Sequence, residues 1–197
     1  MAFLRKDRIE YATRVAAKLW SGQVVPLPES YDIKNQVFEL VAQAGKGIVA
    51  VSKPRQGKET GGAKVFAYYP EKDDASKFAS GNTERGGGPS DVAPGCVGIA
   101  ELRPISETTT KLTLQASYYL KKHPAVDKPL AGKYRRWRSY LLEKVFEHAK
   151  AEGITGIVLR TTNKAGKLHH EIFAGVGKKH GWRALGEEEF KTTLVRG

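Results

Sequence analysis

Hydrophobic positions recur at helical spacing in four segments of the chain, and these segments predict helices over residues 4–20, 31–44, 134–152 and 168–179. The segment 134–152 has the clearest pattern. Its apolar stripe consists of Trp137, Leu141, Leu142, Val145, Phe146 and Ala149. A glycine follows each of the four segments closely, as is common where helices end.

Short runs rich in β-branched residues predict strands between these helices, at residues 47–53, 65–69, 96–104, 111–120, 154–160, 184–185 and 190–195. A short polar link joins 96–104 to 111–120 and predicts an antiparallel hairpin. Residues 111–161 form a strand–helix–strand unit, and a right-handed crossover would make its two strands parallel. We therefore expect a single α/β domain over residues 1–197, with a mixed, mostly antiparallel sheet and helices on both faces.

Composition narrows the class of protein. Of 197 residues, 40% are hydrophobic, which is enough for one sizeable core. No apolar run approaches the ~18 residues of a membrane span, and the first residues lack the apolar stretch of a signal peptide. Cys96 is the only cysteine, so no intrachain disulfide or zinc–thiolate cluster can form, which fits a reducing cytoplasm. Residues 71–95 have the composition of a mobile surface loop and are predicted to be an insertion.

Positive charge is concentrated in one part of the sequence. The net charge is +12, and residues 121–138 hold seven of the cations against one acid. Four of the seven, Lys133, Arg135, Arg136 and Arg138, lie at or in the first turn of the helix predicted over 134–152. The helix dipole disfavours cations there, so the arrangement predicts a bound anion, either a diphosphate or a nucleic-acid backbone. The alternative is a solvated basic surface.

The order and spacing of the elements resemble the GNAT superfamily of acyl-CoA-dependent N-acetyltransferases over roughly residues 95–195. VGIAELRPI is similar to the family's third strand, and KLTLQASYYLKKHP to its fourth, which splays from the fifth to admit the pantetheine arm. GKYRRWRSYLLEKVFEHAKAEG resembles the pyrophosphate-binding loop and helix. ITGIVLRTTN is similar to the fifth strand, and IFAGVGKKHGWRAL to the next helix and the start of the sixth strand. The resemblance implies a GNAT-like fold that uses acetyl-CoA or a related acyl-CoA.

Two positions depart from the family pattern. The family's loop signature is Gln/Arg-x-x-Gly-x-Gly/Ala, and here Lys133, Arg136 and Arg138 stand at its three defined positions. Gly177 stands where the family usually has a tyrosine that protonates the CoA thiolate. The cofactor-binding residues that the resemblance implies are Lys133, Arg135, Arg136, Arg138, Ser117 and Asn163.

Amine acylation needs a base for the attacking amine and a proton donor for the leaving thiolate. Glu101, on a predicted central strand, is the candidate base, directly or through water; it could equally be a solvent-facing strand residue. Tyr119, on the same strand face as Ser117, is the candidate acid, with Tyr118 on the opposite face as an alternative. Both tyrosines could instead serve in packing. The sequence His169-His170-Glu171 lacks the spacing of a metal motif, so we predict no metal site.

Three functional hypotheses follow. The first is a GNAT-like acyltransferase that moves an acyl group from acyl-CoA to a primary amine on a large or anionic substrate, such as nucleic acid or a nucleic-acid-bound protein. The second is a catalytically altered GNAT-like protein that binds nucleic acid through residues 121–138. The third is an enzyme that transfers a different group to nucleic acid. Fold alone does not choose among them.

Overall fold

The computed structural model describes residues 5–28, 33–56, 61–80, 92–117, 128–161, 166–188 and 190–197. Its helices are α1 Arg5–Trp20, α2 Lys72–Ser80, α3 Lys128–Lys133, α4 Trp137–Ala151 and α5 Lys167–Lys179. Its strands are β1 Val25–Pro26, β2 Ile33–Lys34, β3 Gln36–Ala44, β4 Gly47–Pro54, β5 Gly61–Gly62, β6 Lys64–Tyr69, β7 Gly98–Pro104, β8 Thr109–Ala116, β9 Gly156–Arg160, β10 Trp182–Glu188 and β11 Lys191–Arg196. No helix in these ranges is long and apolar enough to cross a membrane.

Nine of the described strands form one sheet, in the order β1-β3-β4-β6-β7-β8-β9-β11-β10. Strands β7 and β8 form the predicted antiparallel hairpin. Strands β8 and β9 are parallel and are joined through α4, whereas the other described pairs of this sheet are antiparallel. The prediction of a mixed, mostly antiparallel α/β sheet is confirmed.

Helices cover both faces of the sheet, as predicted. Because side chains alternate along a strand, neighbouring residues of β6 enter different cores. Phe66 and Tyr68 pack with the apolar stripe of α4, on what we call the α4 face. Val65 and Ala67 pack with α1, on the α1 face. All six residues of the predicted α4 stripe are buried.

The helix predicted over residues 31–44 is wrong. Residues 36–44 form strand β3, which pairs with β4 around a turn at Gly45-Lys46. Gly45 has φ +57, a left-handed conformation that suits glycine in such a hairpin turn. The apolar spacing in this segment fits a helix or a strand. The strand forms because pairing with β4 lets Phe38 pack in the core on the α1 face.

Two segments predicted as loops contain helices. Within residues 71–95, α2 buries Ala75 and Phe78, so this part of the predicted insertion belongs to the core. Residues 128–132 belong to the segment 121–132, which the sequence predicts as a loop because it contains Pro124 and Pro129; in the structure they begin α3, which leads into α4. Residues 81–91 lie outside the described residues. The other helices and the main strands lie where the sequence predicts them, with shifts of a few residues at their ends.

Candidate functional site

Strand β8 runs on beyond the end of its parallel partner β9, and we call the place beside this extension of β8 the opening, or gap, in the sheet. The ladder joins Thr109–Leu112 of β8 to residues 156–159 of β9, and β8 then continues to Ala116. Ser117 follows, and its N–H donates to the Val97 carbonyl at 2.8 Å. The Ser117 hydroxyl is buried and has no hydrogen-bond partner among the residues that the structure describes. The opening therefore ends at the Ser117 hydroxyl oxygen, which is free to hydrogen-bond to a ligand.

Trp137 fixes the start of α4 beside this opening. Its side chain is almost fully buried against β7, where a Cβ atom at Gly98 would lie only 2.5 Å from the Trp137 ring. Gly98 in turn pairs with Ala116 of β8. Because the small residue at 98 lets the indole reach the sheet, the first turn of α4 lies next to the end of β8.

Two arginines of this turn lie over aromatic rings. The Arg138 guanidinium carbon is 4.6 Å from the Trp137 ring centroid, and its Nε donates to His169 Nδ1 at 3.0 Å. The Arg136 guanidinium carbon is 5.6 Å from the Tyr140 ring centroid. Burial lowers the pKa of Arg138, yet a guanidinium keeps its charge in proteins. Arg135 and Arg136 are exposed, and Arg138 is half-buried. The start of α4 therefore carries three guanidinium groups.

The starts of α4 and α5 lie together and carry no acidic residue in either first turn. Their N-cap residues, Arg136 and Gly166, make no side-chain capping hydrogen bond. The Arg138–His169 bond joins the two starts. Since each helix N-terminus carries a partial positive charge, the arrangement favours an anion between them. We call this place, with Arg135, Arg136 and Arg138, the candidate anion site.

Lys133, one of the predicted cofactor-binding residues, lies against two carboxylates. Its Nζ lies 2.5 Å from Glu71 Oε2 and 2.7 Å from Asp74 Oδ2, and the Tyr134 hydroxyl also donates to Asp74 Oδ2 at 2.7 Å. Hydrogen bonds to Asp74 and Glu71 raise the pKa of Lys133 well above its usual range. Lys133 is thus neutralised by carboxylates, and we leave it out of the candidate anion site.

These carboxylates could not be assigned from the sequence pattern, because α2 lies inside the predicted loop over residues 71–95. The signal was present: Asp73 and Asp74 suit the first turn of a helix, and Ala75 and Phe78 follow at helical spacing. Burial alone would raise the pKa of Asp74, but hydrogen bonds from Lys133 and Tyr134 outweigh it, and that pKa lies below its usual value.

Glu101 lies on the α1 face of β7, opposite Thr113. Its side chain is only 12% exposed, and Arg103 Nε donates to its Oε1 at 2.6 Å. Ser117 lies four residues beyond Thr113 on the same face, about 13 Å further along the strand. The structure therefore places Glu101 and Ser117 on one surface without contact between them.

Three of the predicted site residues cannot be placed, and the position at which the GNAT family usually has a tyrosine can. Tyr118, Tyr119 and Asn163 lie outside the described residues, so their assignments stay predictions. Gly177 lies on α5, where a Cβ atom would overlap Leu194 and come within 3.0 Å of the Phe146 ring. Gly177 therefore packs closely against Leu194 and Phe146 and carries no side chain that could donate a proton.

In the described ranges, no three His, Cys, Asp or Glu side chains gather in a way that could hold a metal ion. His170 bonds instead to two hydroxyl groups, Thr161 Oγ1 at 2.9 Å and Thr192 Oγ1 at 2.8 Å. It thereby ties α5 to the end of β9 and to β11. Cys96 is buried, and burial raises the pKa of its thiol, so it is a poor nucleophile.

No protein-family model matches the sequence, and no curated protein does. A GCN5-related N-acetyltransferase from Kribbella flavida is 11% identical, over 68% of this chain and 67% of that chain, with a TM-score of 0.39. An acetyltransferase from Streptococcus agalactiae is 16% identical, over 68% and 66%, with a TM-score of 0.34. A GNAT-family acetyltransferase from Staphylococcus aureus is 15% identical, over 68% and 68%, with a TM-score of 0.33.

The topology of the described residues agrees with the order of elements that the sequence resemblance implies. The third- and fourth-strand equivalents form a hairpin, and the fourth and fifth are parallel, with β9 ending at Arg160 while β8 continues to Ala116. The helix between them begins at the opening, and Gly181-Trp182 begins the next strand. The fold therefore places an uncapped, arginine-bearing helix start beside a gap in the sheet.

Proposed function

We propose that the protein is an N-acyltransferase that uses acetyl-CoA or a related acyl-CoA. The observation that carries the proposal is the position of the α4 start, with Arg136 and Arg138, directly beside the gap between β8 and β9. A gap in a sheet accepts a narrow chain, and a cationic helix start accepts phosphate groups. Acyl-CoA combines a narrow pantetheine arm with phosphates.

The residues present fit such a donor. Arg135, Arg136 and Arg138 would bind its phosphates through guanidinium forks, further from the helix backbone than a glycine loop allows. The buried Ser117 hydroxyl offers an unused hydrogen bond at the gap, and Asn163, which follows β9 in the sequence, is proposed to bind the arm. The bound donor supplies an activated acyl thioester.

We further propose roles for the acid and the base. Glu101 would accept a proton from the acceptor amine through water, since Arg103 keeps this carboxylate oriented on the α1 face. Tyr119 would return a proton to the leaving thiolate. The net charge of +12 favours an acceptor amine on a large or anionic substrate, such as nucleic acid or a protein bound to it.

The test is calorimetric titration of acetyl-CoA into the wild type and into an Arg136→Gln/Arg138→Gln double variant. We expect the double variant to bind at least about tenfold more weakly, because it loses two charge-assisted phosphate contacts. Lys150→Gln is the matched control, since Lys150 is an exposed cation at the far end of the same helix. No binding by the wild type, or equal binding by the double variant, would contradict the proposal.

A second candidate is nucleic-acid binding without acyl transfer. It is favoured by the exposure of Arg135 and Arg136 and by the arginines that replace the family's glycines. It predicts a steep dependence of duplex affinity on salt, reduced by the same double substitution, with no effect of acetyl-CoA on the melting temperature. A rise in melting temperature with acetyl-CoA favours the first candidate.

A further inference from the structure

A pocket lies at the opposite end of α4 from the candidate anion site. It has a volume of about 270 Å³, and its lining includes Lys64 of β6, Thr110 of β8, His148 of α4 and Glu152 directly after that helix. These four residues come from three separate elements. The pocket thus brings an amine, an imidazole and a hydroxyl together at one place on the α4 face.

Both nitrogen bases of this pocket are partly removed from water. Burial lowers the pKa of Lys64, and the nearby Glu152 carboxylate only partly opposes this. Burial and the Lys64 charge lower the pKa of His148, again partly opposed by Glu152. The His148 ring also lies edge-on to Phe66, with centroids 5.6 Å apart. At neutral pH the imidazole is therefore neutral and able to accept a proton.

Thr110 adds an unused hydrogen-bonding group. The residue is 5% exposed, and its Oγ1 has no partner in the described part of the chain. A buried hydroxyl without a partner is uncommon, because its desolvation is not repaid by a hydrogen bond. Here it lines a pocket that is large enough for a small ligand with a carbonyl oxygen.

We propose that Lys64 is a self-acylation site, at which small acyl thioesters from solution acylate the protein itself. The neutral Lys64 amine attacks the thioester carbonyl carbon, so that a C–N bond forms and the C–S bond breaks. His148 accepts the proton lost by nitrogen and passes it to the leaving thiolate, which departs as a thiol. The Thr110 hydroxyl donates to the carbonyl oxygen as negative charge develops on it.

The product suits the pocket better than the starting lysine does. An amide carries no charge, so acylation removes a partly buried cation whose hydration the fold disfavours. The other charged groups around the pocket are Glu152 and Glu107. On the neighbouring strand β4, the ammonium of Lys53 is paired with Glu39 at 2.6 Å. Glu107 and Glu152 are exposed to solvent. The thioester that we propose to enter the pocket is neutral, so these two carboxylates do not repel it.

The experiment treats the full chain with S-acetyl-N-acetylcysteamine, a small thioester without phosphate groups. Peptide mass spectrometry then follows acetylation at each lysine over time and pH. We expect Lys64 to react at least about threefold faster than the exposed Lys150 near neutral pH, and to reach its full rate at lower pH. Because the probe has no phosphates, the Arg136→Gln/Arg138→Gln variant should react like the wild type whether or not acyl-CoA binds there.

Three variants test the roles within the pocket. Lys64→Arg should lose the fast site and leave acetylation of the other lysines unchanged. His148→Gln and Thr110→Val should each slow Lys64 at least about threefold without slowing Lys150. His148→Asn provides a second test if His148→Gln fails to fold, as judged by circular dichroism. The proposal is overturned if Lys64 reacts no faster than Lys150, or if folded His148 variants leave the Lys64 rate unchanged.

Discussion

The two ends of α4 place nitrogen bases in similarly half-buried surroundings, with different consequences. At the start, burial lowers the pKa of Arg138, but a guanidinium does not release its proton in proteins. At the end, burial lowers the pKa of Lys64 and His148, whose usual values of 10.5 and 6.5 lie much closer to neutrality. One helix therefore joins a site of fixed positive charge to a site where the proton can leave.

This difference assigns a separate chemistry to each end. A permanent cation beside aromatic rings suits an anion that must be held in place, as phosphates are. A desolvated amine beside a neutral imidazole suits attack on a carbonyl group. The net charge of the chain does not distinguish the two ends; the burial and the residue type of each base do.

The largest effect that separates the two ends is expected from Trp137→Ala. The substitution removes a fully buried indole and the ring beneath Arg138, and should lower the free energy of unfolding by about 3–5 kcal/mol. Urea denaturation measures this loss. Lys150→Ala, at the exposed far end of the helix, should stay within about 0.5 kcal/mol of the wild type. A loss below about 1 kcal/mol for Trp137→Ala would show that the indole does not anchor the helix start.

The part of the fold around α4 could be predicted because its signals are local or strongly periodic. The apolar stripe from Trp137 to Ala149 repeats at helical spacing, and the whole stripe is buried. The hairpin of β7 and β8 follows from two alternating runs and a short polar link. Strand β3 was not predictable in this way, since its apolar spacing also fits a helix and only its pairing with β4 decides.

The candidate site was predicted only where its residues are close together in the chain. The sequence shows that Lys133, Arg136 and Arg138 are close together, because they lie close in the chain. It does not show that Glu71 and Asp74, just before and within α2, pair with Lys133. The pocket at the end of α4 was also missed, since strand pairing and helix packing bring its residues together from distant parts of the chain.

A smaller effect should come from Arg138→Lys, which sharpens the comparison by keeping the charge at the helix start. Lysine loses the planar stacking on Trp137 and the forked hydrogen bonding of a guanidinium. We expect acetyl-CoA to bind about three- to tenfold more weakly, measured by calorimetric titration. Lys150→Arg, the reverse exchange at the far end, should leave affinity unchanged. If Arg138→Lys binds as tightly as the wild type, charge alone is sufficient there.

Asp74→Asn should test the ion pair with Asp74 that we expect to keep Lys133 from binding an anion. Loss of the Asp74–Lys133 pair should cost about 1 kcal/mol or less at neutral pH, because the pair is partly exposed. The pKa of Asp74 in the folded protein lies below its usual 3.8, so the pair's contribution is complete above pH 3.8 and lost as pH falls through the lower folded value. Thermal unfolding from pH 2 to 7 should therefore show the two proteins converge in acid. A constant difference would contradict the assigned ion pair.

The smallest effect is expected at the end of α4, from His148→Gln. The pKa of His148 in the folded protein lies below its usual 6.5, so the folded state binds fewer protons there than the unfolded state. The wild type should therefore have its full stability from this group above pH 6.5 and lose it as pH falls through the lower folded pKa, whereas glutamine removes this dependence. Urea denaturation between pH 4.5 and 8 measures the difference, and nuclear magnetic resonance titration of the ring reports the pKa directly. A ring that titrates at or above 6.5 would contradict the burial of His148 against Lys64 in this pocket, and the contrast between the two ends of the helix would be lost.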